Sequence, residues 1–252
     1  MSRNRSIRRE KMKTLVELQD IKVRRGAFTL DIPSWTLQEG HILGLVGPNA
    51  AGKSTLLELL AGFLPADSGR VSVVGKTPVS NVEEVRSQVG FMNDTYPLPN
   101  MRIGSLLKMV SGYYKTWDTG LVETLLKRFE VDPGQATHTL SKGQGTRLRL
   151  ILAMAFQPRL LILDEPATGL DLAGRRELLR TVLEFVKGPN KSVIISSHML
   201  GDLERIADTL LVLDRGHIVK QGNTQELVGD ERTLEEALLL WGAAGTNHSQ
   251  AA

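Results

Sequence analysis

Residues 43–61 read LGLVGPNAAGKSTLLELLA: an apolar stretch, a loop bounded by two glycines and a second apolar stretch. The first stretch has the length of a buried strand and the last continues as a helix, so the sequence predicts a strand, a loop and a helix in that order. Gly47 and Gly52 allow the loop backbone to curl until its N–H groups face one centre. The positive end of the helix adds to their attraction for an anion, and we therefore predict a phosphate-binding loop.

The loop also carries the side chains that a nucleoside triphosphate requires. Lys53 is expected to reach the β- and γ-phosphates of ATP, and the Ser54 hydroxyl is expected to ligate Mg²⁺. The residues predicted to surround the phosphates are Gly47, Pro48, Asn49, Ala50, Ala51, Gly52, Lys53, Ser54 and Thr55. An ordinary glycine turn with a solvated lysine is the alternative. Ala50 stands where related loops usually carry glycine, and alanine is unfavourable there if the position requires a positive φ.

The composition is that of a globular protein and limits the possible functions. Of the 252 residues, 41% are hydrophobic and 23% are charged, and there is no cysteine. A disulfide, a thiolate metal site and a cysteine nucleophile are therefore excluded. No run approaches the roughly 18 consecutive apolar residues of a membrane helix, so any membrane association is expected to come through a partner.

The net charge of +3 is unevenly distributed along the chain. Residues 1–13 contain six basic residues and one acidic residue, which leaves residues 14–252 with a net charge of −2. We therefore expect no nucleic-acid partner for the body of the protein. Residues 1–13 are predicted to be a disordered basic tail, and a basic arm that touches lipid headgroups is the alternative.

The apolar pattern alternates between strand-like and helical runs, which is typical of an α/β domain. It predicts nine strands and seven helices, including a strand over Phe28–Ile32. Residues 93–156 show helical patterning alone and are predicted to be a helical subdomain inserted into a sheet-containing core. The core is predicted to comprise residues 14–92 and 157–241 of a single domain. Residues 242–252 are expected to form a flexible tail.

Four further motifs follow the loop along the chain. Residues 140–144 read LSKGQ, residues 160–166 read LLILDEP, residues 168–171 read TGLD and residues 194–198 read IISSH. In this order and spacing, the chain resembles the ATP-binding cassette (ABC) ATPases over about Thr14–Leu240. The resemblance implies the P-loop NTPase fold of the ABC ATPases, an α/β fold in which a mixed sheet forms the core and a helical subdomain is inserted.

Two adjacent carboxylates end the apolar strand of the LLILDEP motif. Successive residues of a strand point in opposite directions, so Asp164 and Glu165 are expected to take different roles. The resemblance implies that Asp164 holds Mg²⁺ or its water shell and that Glu165 is the catalytic group that activates the attacking water. It also implies a catalytic contact between His198 and the γ-phosphate, although a lone histidine at the end of a strand is more often structural.

The LSKGQ motif is predicted to begin a helix, because Ser141 is a good N-cap and Gln144 follows it at the capping-box spacing. A plain helix start is one interpretation. The resemblance implies another, in which Ser141, Gly143 and Gln144 complete the ATP site of a second subunit in a head-to-tail dimer. Lys142 stands in place of a common glycine. Asp171 resembles the aspartate that crosses the dimer interface, and it is also well placed to cap the next helix.

The chain departs from the family pattern at two further positions. Asp94 stands where a glutamine that senses the γ-phosphate and Mg²⁺ is expected, and an aspartate can still accept a hydrogen bond from Mg²⁺-bound water. We therefore predict Asp94 as a nucleotide and metal contact. Arg25 replaces the aromatic residue that usually stacks on adenine, and a guanidinium can also stack on a base. Phe28 is the alternative stacking residue, or else a core residue of its strand.

The resemblance implies an ATP-binding and ATP-hydrolysing subunit that powers transport through a separate transmembrane permease subunit. It would use ATP and Mg²⁺, pair with a second copy or a related nucleotide-binding chain, and lie at the cytoplasmic face of the membrane through its partner. The apolar turn Tyr96–Met101 is the predicted contact with that partner. Residues 113–118 resemble a subgroup of small bacterial exporter ATPases.

A soluble ATPase with a single cassette, working in cofactor assembly, is the alternative function. DNA-repair members of the family carry long coiled-coil insertions and translation members carry two cassettes in one chain, and this sequence shows neither feature. A nucleotide-binding regulator without turnover is disfavoured because both Glu165 and His198 are present.

Overall fold

The computed structural model of the protein describes residues 13–229 and 233–238. Within them the chain forms nine β-strands: β1 (Thr14–Arg25), β2 (Phe28–Gln38), β3 (Ile42–Val46), β4 (Ser68–Val73), β5 (Val89–Met92), β6 (Leu160–Asp164), β7 (Ser192–Ser196), β8 (Thr209–Asp214) and β9 (His217–Asn223). The α-helices are α1 (Lys53–Leu60), α2 (Val82–Arg86), α3 (Ile103–Ser111), α4 (Thr119–Arg128), α5 (Lys142–Met154), α6 (Leu172–Val186), α7 (Leu200–Ile206) and α8 (Thr224–Val228). A 3₁₀ turn covers Thr137–Thr139, and residues 234–238 are also helical. The two predicted tails, apart from Lys13, lie outside the described residues.

A six-stranded mixed sheet with the order β5-β6-β7-β3-β8-β9 forms the centre of the molecule. All of its neighbouring strands pair in parallel except β9, which pairs antiparallel with β8. β6 is buried on both faces, because Leu160 and Ile162 enter one hydrophobic core while Leu161 and Leu163 enter another. The carboxyl ends of parallel strands share one edge of a sheet. The segments that follow β3, β5, β6 and β7 therefore meet at that edge.

A smaller antiparallel sheet with the order β2-β1-β4 covers one side of the central sheet. The two sheets and α1 share one core, in which Leu18 of β1, Leu57 and Leu60 of α1 and Ile194 of β7 are all buried. Burying each of these side chains contributes roughly 1.5–3 kcal/mol to folding. This packing fixes α1, and with it the loop that precedes it, at the edge of the central sheet.

Residues 93–156, all of them described, contain α3, α4, the 3₁₀ turn and α5, with a single isolated bridge between Arg102 and Ala136. Leu106, Leu125 and Leu148 of these helices are buried in the core on the opposite face of the central sheet. The segment thus contains the helices that the sequence predicts for it. The boundaries of a helical subdomain at residues 93 and 156 stay a prediction. Throughout the described part of the chain, no helix combines the length and apolar character needed to cross a membrane.

The sequence predicts neither of the short helices α2 and α8, and it places the end of β2 too early. α2 and α8 each contain five residues and bury one side chain, Val85 in α2 and Thr224 in α8, so neither shows an apolar period. β2 does not end at Ile32 but continues through Pro33 to Gln38. It can do so because β2 is an edge strand, where the missing N–H of a proline is tolerated.

Candidate functional site

The loop between β3 and α1 has a backbone that only glycine accepts at its two ends. Gly47 has a φ of +154° and Gly52 a φ of +107°, both in the region that favours glycine. A Cβ at Gly47 would lie 2.2 Å from the Leu213 carbonyl oxygen, and a Cβ at Gly52 would lie 2.8 Å from the ring of Phe28. The loop is therefore a cradle whose shape depends on both glycines.

Ala50 is a strained residue within this cradle. Its φ is +64°, in the left-handed region, which costs an L-residue roughly 1–2 kcal/mol. Alanine is unfavourable at position 50 if that position requires a positive φ, and the structure has a positive φ there. The neighbouring Ala51 has no positive φ, is buried, and accepts a hydrogen bond from Gly216 N at 2.9 Å.

Replacing Ala50 with glycine is expected to raise the free energy of unfolding by about 0.5–1 kcal/mol, because it removes the strain but adds chain entropy to the unfolded state. The shift of the urea midpoint at constant m measures it. Ala51→Gly is the control at a position without a positive φ, and it should lower the free energy of unfolding by about 1–2 kcal/mol, because it also removes a buried methyl group. A loss of stability in Ala50→Gly, in place of the expected gain, would show that the positive φ of Ala50 causes no strain.

Lys53 begins α1 and holds its ammonium group inside the loop. Its Nζ donates to Gly47 O at 2.8 Å and to Pro48 O at 3.2 Å, and the residue is only 8% exposed. Ser54 is exposed at the same turn of helix. A glycine cradle, a lysine and the amino end of a helix together form a suitable site for phosphate.

A buried serine connects the two carboxylate residues after β6. Asp164 and Ser196 are register partners in neighbouring strands. Ser196 Oγ donates to Asp164 Oδ1 at 2.6 Å and accepts from Glu165 N at 2.9 Å. Glu165 has a φ of +49°, and strain of this kind is found preferentially at functional sites. One hydroxyl therefore positions both the predicted metal ligand and the backbone of the predicted general base.

Glu165 and His198 form a pair across the ends of β6 and β7. Glu165 Oε2 lies 2.7 Å from His198 Nδ1 and also accepts from His198 N at 3.2 Å. The carboxylate is partly buried, whereas the histidine side chain is 63% exposed. A carboxylate oriented in this way can act as a general base toward water, and the exposed imidazole keeps Nε2 free for another contact.

The phosphate loop and His198 line a common cavity of about 480 Å³. Pro48 and Asn49 contribute to its wall from the loop, and Ser197 and His198 contribute from the segment after β7. The structure thus brings the predicted γ-phosphate contact to the phosphate loop, although these residues lie far apart in the sequence.

The side chains present fit Mg²⁺ that arrives with a nucleotide. In the described ranges, no group of three or more histidine, aspartate or glutamate side chains could hold a metal ion by itself. Mg²⁺ usually takes only one or two carboxylates and completes its shell with phosphate oxygens and water. Asp164, held by Ser196, and the exposed hydroxyl of Ser54 would be the protein ligands of such a site.

The capping box predicted at the start of α5 is confirmed. Gln144 N donates to Ser141 Oγ at 3.2 Å, and Ser141 N donates to Gln144 Oε1 at 2.9 Å. A Cβ at Gly143 would lie 2.8 Å from Gly169 O, so glycine is needed for the close approach of α5 to the segment 168–171. The predicted role of this helix end toward a second subunit stays a prediction.

Asp171 caps α6, as its position in the sequence suggests. Its Oδ1 accepts from Gly174 N at 2.8 Å and lies 3.4 Å from Arg147 Nη2 of α5. Thr146 Oγ1 of α5 also donates to Thr168 O at 3.3 Å. The segment 168–171 is therefore tied to α5, and the interface role of Asp171 stays a prediction.

Asp94 and Arg25, which depart from the family pattern, each form an ion pair with another residue of the chain. Asp94 Oδ2 lies 3.5 Å from Lys142 Nζ of α5. Arg25 Nη2 lies 2.6 Å from Glu58 Oε2 of α1. Phe28 is partly buried in the core beneath the phosphate loop. The nucleotide contacts predicted for Asp94 and Arg25 stay predictions.

Ser196 is a residue of the candidate site to which the sequence assigns no role. It ends the apolar run Val193–Ile195 and is fully buried. One pattern could have indicated this role. Ser196 places a hydroxyl at the carboxyl end of a strand, and that strand is the neighbour of the strand that ends at Asp164. The strand order, which the sequence does not provide, is needed to see that the two residues are partners.

Comparison with known proteins agrees with this geometry. The family model described as ABC transporter matches residues 30–168. The energy-coupling factor transporter ATP-binding protein EcfA2 of Symbiobacterium thermophilum is 34% identical over 218 residues, which are 82% of this chain and 75% of that protein. The Nod factor export ATP-binding protein I of Sinorhizobium fredii is 30% identical over 236 residues, which are 90% of this chain and 68% of that protein. A solved ATP-binding subunit of an ABC transporter superposes with a TM-score of 0.82 at 25% identity, over 91% of this chain and 100% of that chain. Sequence, fold and site geometry together show that the chain belongs to the ABC transporter family, as an ATP-binding subunit.

Proposed function

We propose that this subunit hydrolyses ATP with Mg²⁺ and thereby drives export through a separate membrane subunit. It alternates between an ATP-bound head-to-tail dimer and an open state, and it lies at the cytoplasmic face of the membrane through its partner. The observation that carries this proposal is an open apolar groove at the end of β5, next to Asp94, which offers a place for the membrane subunit.

The groove has a volume of about 330 Å³ and an aromatic wall. The rings of Phe63 and Tyr96 stack with centroids 5.5 Å apart, and these residues are 44% and 45% exposed. The rings of Tyr114 and Phe156 stack with centroids 3.9 Å apart, and burial raises the pKa of Tyr114. Half-exposed aromatic side chains gathered in a concave surface are typical of a protein interaction site.

Both charged residues that line the groove are arginines. The Arg86 guanidinium lies 4.7 Å from the centroid of the Phe63 ring, and Arg149 Nη2 donates to Tyr96 O at 3.2 Å. A helical segment of a membrane subunit that presents apolar side chains and a carboxylate would complement this surface.

The groove is continuous with the segment that carries Asp94, which is predicted to contact the nucleotide. Met92 and Asn93, immediately before Asp94, line it together with Tyr96, Pro97 and Leu98. These last three belong to the turn that the sequence predicts as the partner contact. An occupant of the groove would therefore touch the segment that carries Asp94, which supports a coupling role for this surface.

Support for export comes from relatives whose names state that role, among them the Nod factor export ATP-binding proteins at about 30% identity. The EcfA2 relative belongs to a transporter described as an energy-coupling factor type. A soluble ATPase of a cofactor-assembly system is the alternative, and such an enzyme has no need for the groove.

We expect the double variant Phe63→Ser, Tyr96→Ser to lose at least about tenfold in recovery with the membrane fraction, because aromatic anchors dominate interface energies. The measurement is quantitative immunoblotting of membranes from cells that express the chain at native level. Tyr113→Ser is the matched control, since Tyr113 is 80% exposed and lies outside the groove lining.

A photo-cross-linking residue at position 96 should capture a protein with several membrane spans, whereas the same residue at position 113 should not. Full membrane recovery of the double variant would show that the groove does not hold the partner. A parent protein that is wholly absent from the membrane fraction would favour the assembly ATPase.

A further inference from the structure

The ion pair between Asp94 and Lys142 joins two positions at which this chain departs from the family pattern. Asp94 follows β5 and Lys142 begins α5, yet Asp94 Oδ2 and Lys142 Nζ are 3.5 Å apart. The side chains are 54% and 60% exposed, so either one can exchange its partner for a ligand from outside the chain.

The first turn of α5 carries a lysine and no acidic residue. The amino end of a helix already has a partial positive charge, so a lysine there is repelled unless an anion lies nearby. Asp94 supplies that anion from another segment. Its carboxylate therefore offsets part of the positive charge that Lys142 adds to the amino end of α5.

The stem of Lys142 is fixed by the segment 168–171. Gly169 has a φ of +81°, and a Cβ there would lie 2.9 Å from Lys142 Cγ. Only a glycine at this position leaves room for the lysine stem to lie against the segment. Lys142 thus contacts two other loops of the site, with its stem on Gly169 and its ammonium group on Asp94.

We propose that Asp94 is an internal competitor for phosphate at the end of α5. Its carboxylate holds Lys142 in the isolated subunit, and the phosphate of ATP bound to a second subunit displaces it when the two subunits meet. This step rests on the head-to-tail dimer of the proposed function. It makes dimer closure an exchange of one anion for another, so Asp94 raises the ATP concentration that closure requires.

The exchange predicts opposite effects for its two residues. In a Glu165→Gln background, ATP-dependent dimerisation is followed by light scattering. Asp94→Asn should lower the ATP concentration for half-dimerisation by roughly three- to tenfold, because the competitor is lost. Lys142→Met, which keeps the stem, should raise that concentration, and Lys142→Arg should restore the value of the background.

A double-variant comparison isolates the pair. When Lys142 is already methionine, Asp94→Asn should have much less effect on dimerisation than in the background. Glu123→Gln, which removes one exposed carboxylate of α4, is the matched control for net charge. In the nucleotide-free chain, hydrogen exchange at residues 93–96 should be faster in both Asp94→Asn and Lys142→Met than in the background.

The outcomes separate this inference from the proposed function. If the background protein forms no dimer with ATP at any concentration, the proposed dimer and the exchange are both wrong. If it dimerises and Asp94→Asn leaves the midpoint unchanged or raises it, only the exchange is wrong. A raised midpoint would instead agree with Asp94 as a direct contact of the nucleotide or Mg²⁺. A lowered midpoint that persists when Lys142 is methionine would also contradict the exchange.

Discussion

Replacing Glu165 with glutamine is expected to lower the rate of ATP hydrolysis by about 10²- to 10⁴-fold, the usual contribution of a general base. ATP binding should be retained, because the phosphate loop and Lys53 are untouched. Glutamine is nearly isosteric, so its side-chain oxygen can still accept from His198 N, as the carboxylate does at 3.2 Å. The loss would therefore be chemical rather than structural. Phosphate release measures turnover, and titration of a fluorescent ATP analogue measures binding.

The control for this prediction is Glu83→Gln, which removes an exposed carboxylate from α2. It should leave both turnover and binding unchanged. Turnover of the Glu165→Gln protein within a factor of two of the parent would assign water activation to another group. A loss of binding in the same variant would show that Glu165 supports the nucleotide site structurally.

The glycine-bounded loop and the capping box could be predicted because the residue types in each pattern indicate a particular backbone conformation. Gly47 and Gly52 have φ values of +154° and +107°, in the region that favours glycine, and the glycine-bounded loop pattern predicts such a backbone. Likewise, Ser141 and Gln144 form the capping box that their spacing predicts. In each case the residue type and the conformation are linked over fewer than ten positions, so the sequence alone carries the information.

Contacts between distant segments could be predicted only in outline. The order of the motifs indicates that strand ends meet at one edge, but it does not state which side chain reaches which. The bond between Ser196 and Asp164 depends on β6 and β7 being neighbours in register. The ion pair of Arg25 with Glu58 depends on how the small sheet covers α1. Such pairings follow from packing of the whole chain, which no local pattern specifies.

Replacing Lys53 with alanine is expected to weaken ATP binding by about 10- to 150-fold. A hydrogen bond to a charged group contributes roughly 1.5–3 kcal/mol, and that free energy corresponds to this range of affinity. The ammonium group is well placed for such a contact, since it lies inside the loop within 2.8 Å of Gly47 O. Equilibrium titration with a fluorescent ATP analogue measures the change in affinity.

Two further variants separate the charge of Lys53 from its packing. Lys53→Met keeps most of the stem in its 8% exposed position but removes the ammonium group, so it should lose nearly as much ATP affinity as alanine. Lys115→Ala removes a lysine from an exposed position outside the loop and should bind ATP like the parent. The free energy of unfolding, measured in parallel, shows whether the loop still folds once Gly47 O and Pro48 O lose their donor. If Lys53→Met binds ATP as tightly as the parent, the lysine serves only to close the loop on itself, and the phosphate must be held by the backbone N–H groups and the end of α1.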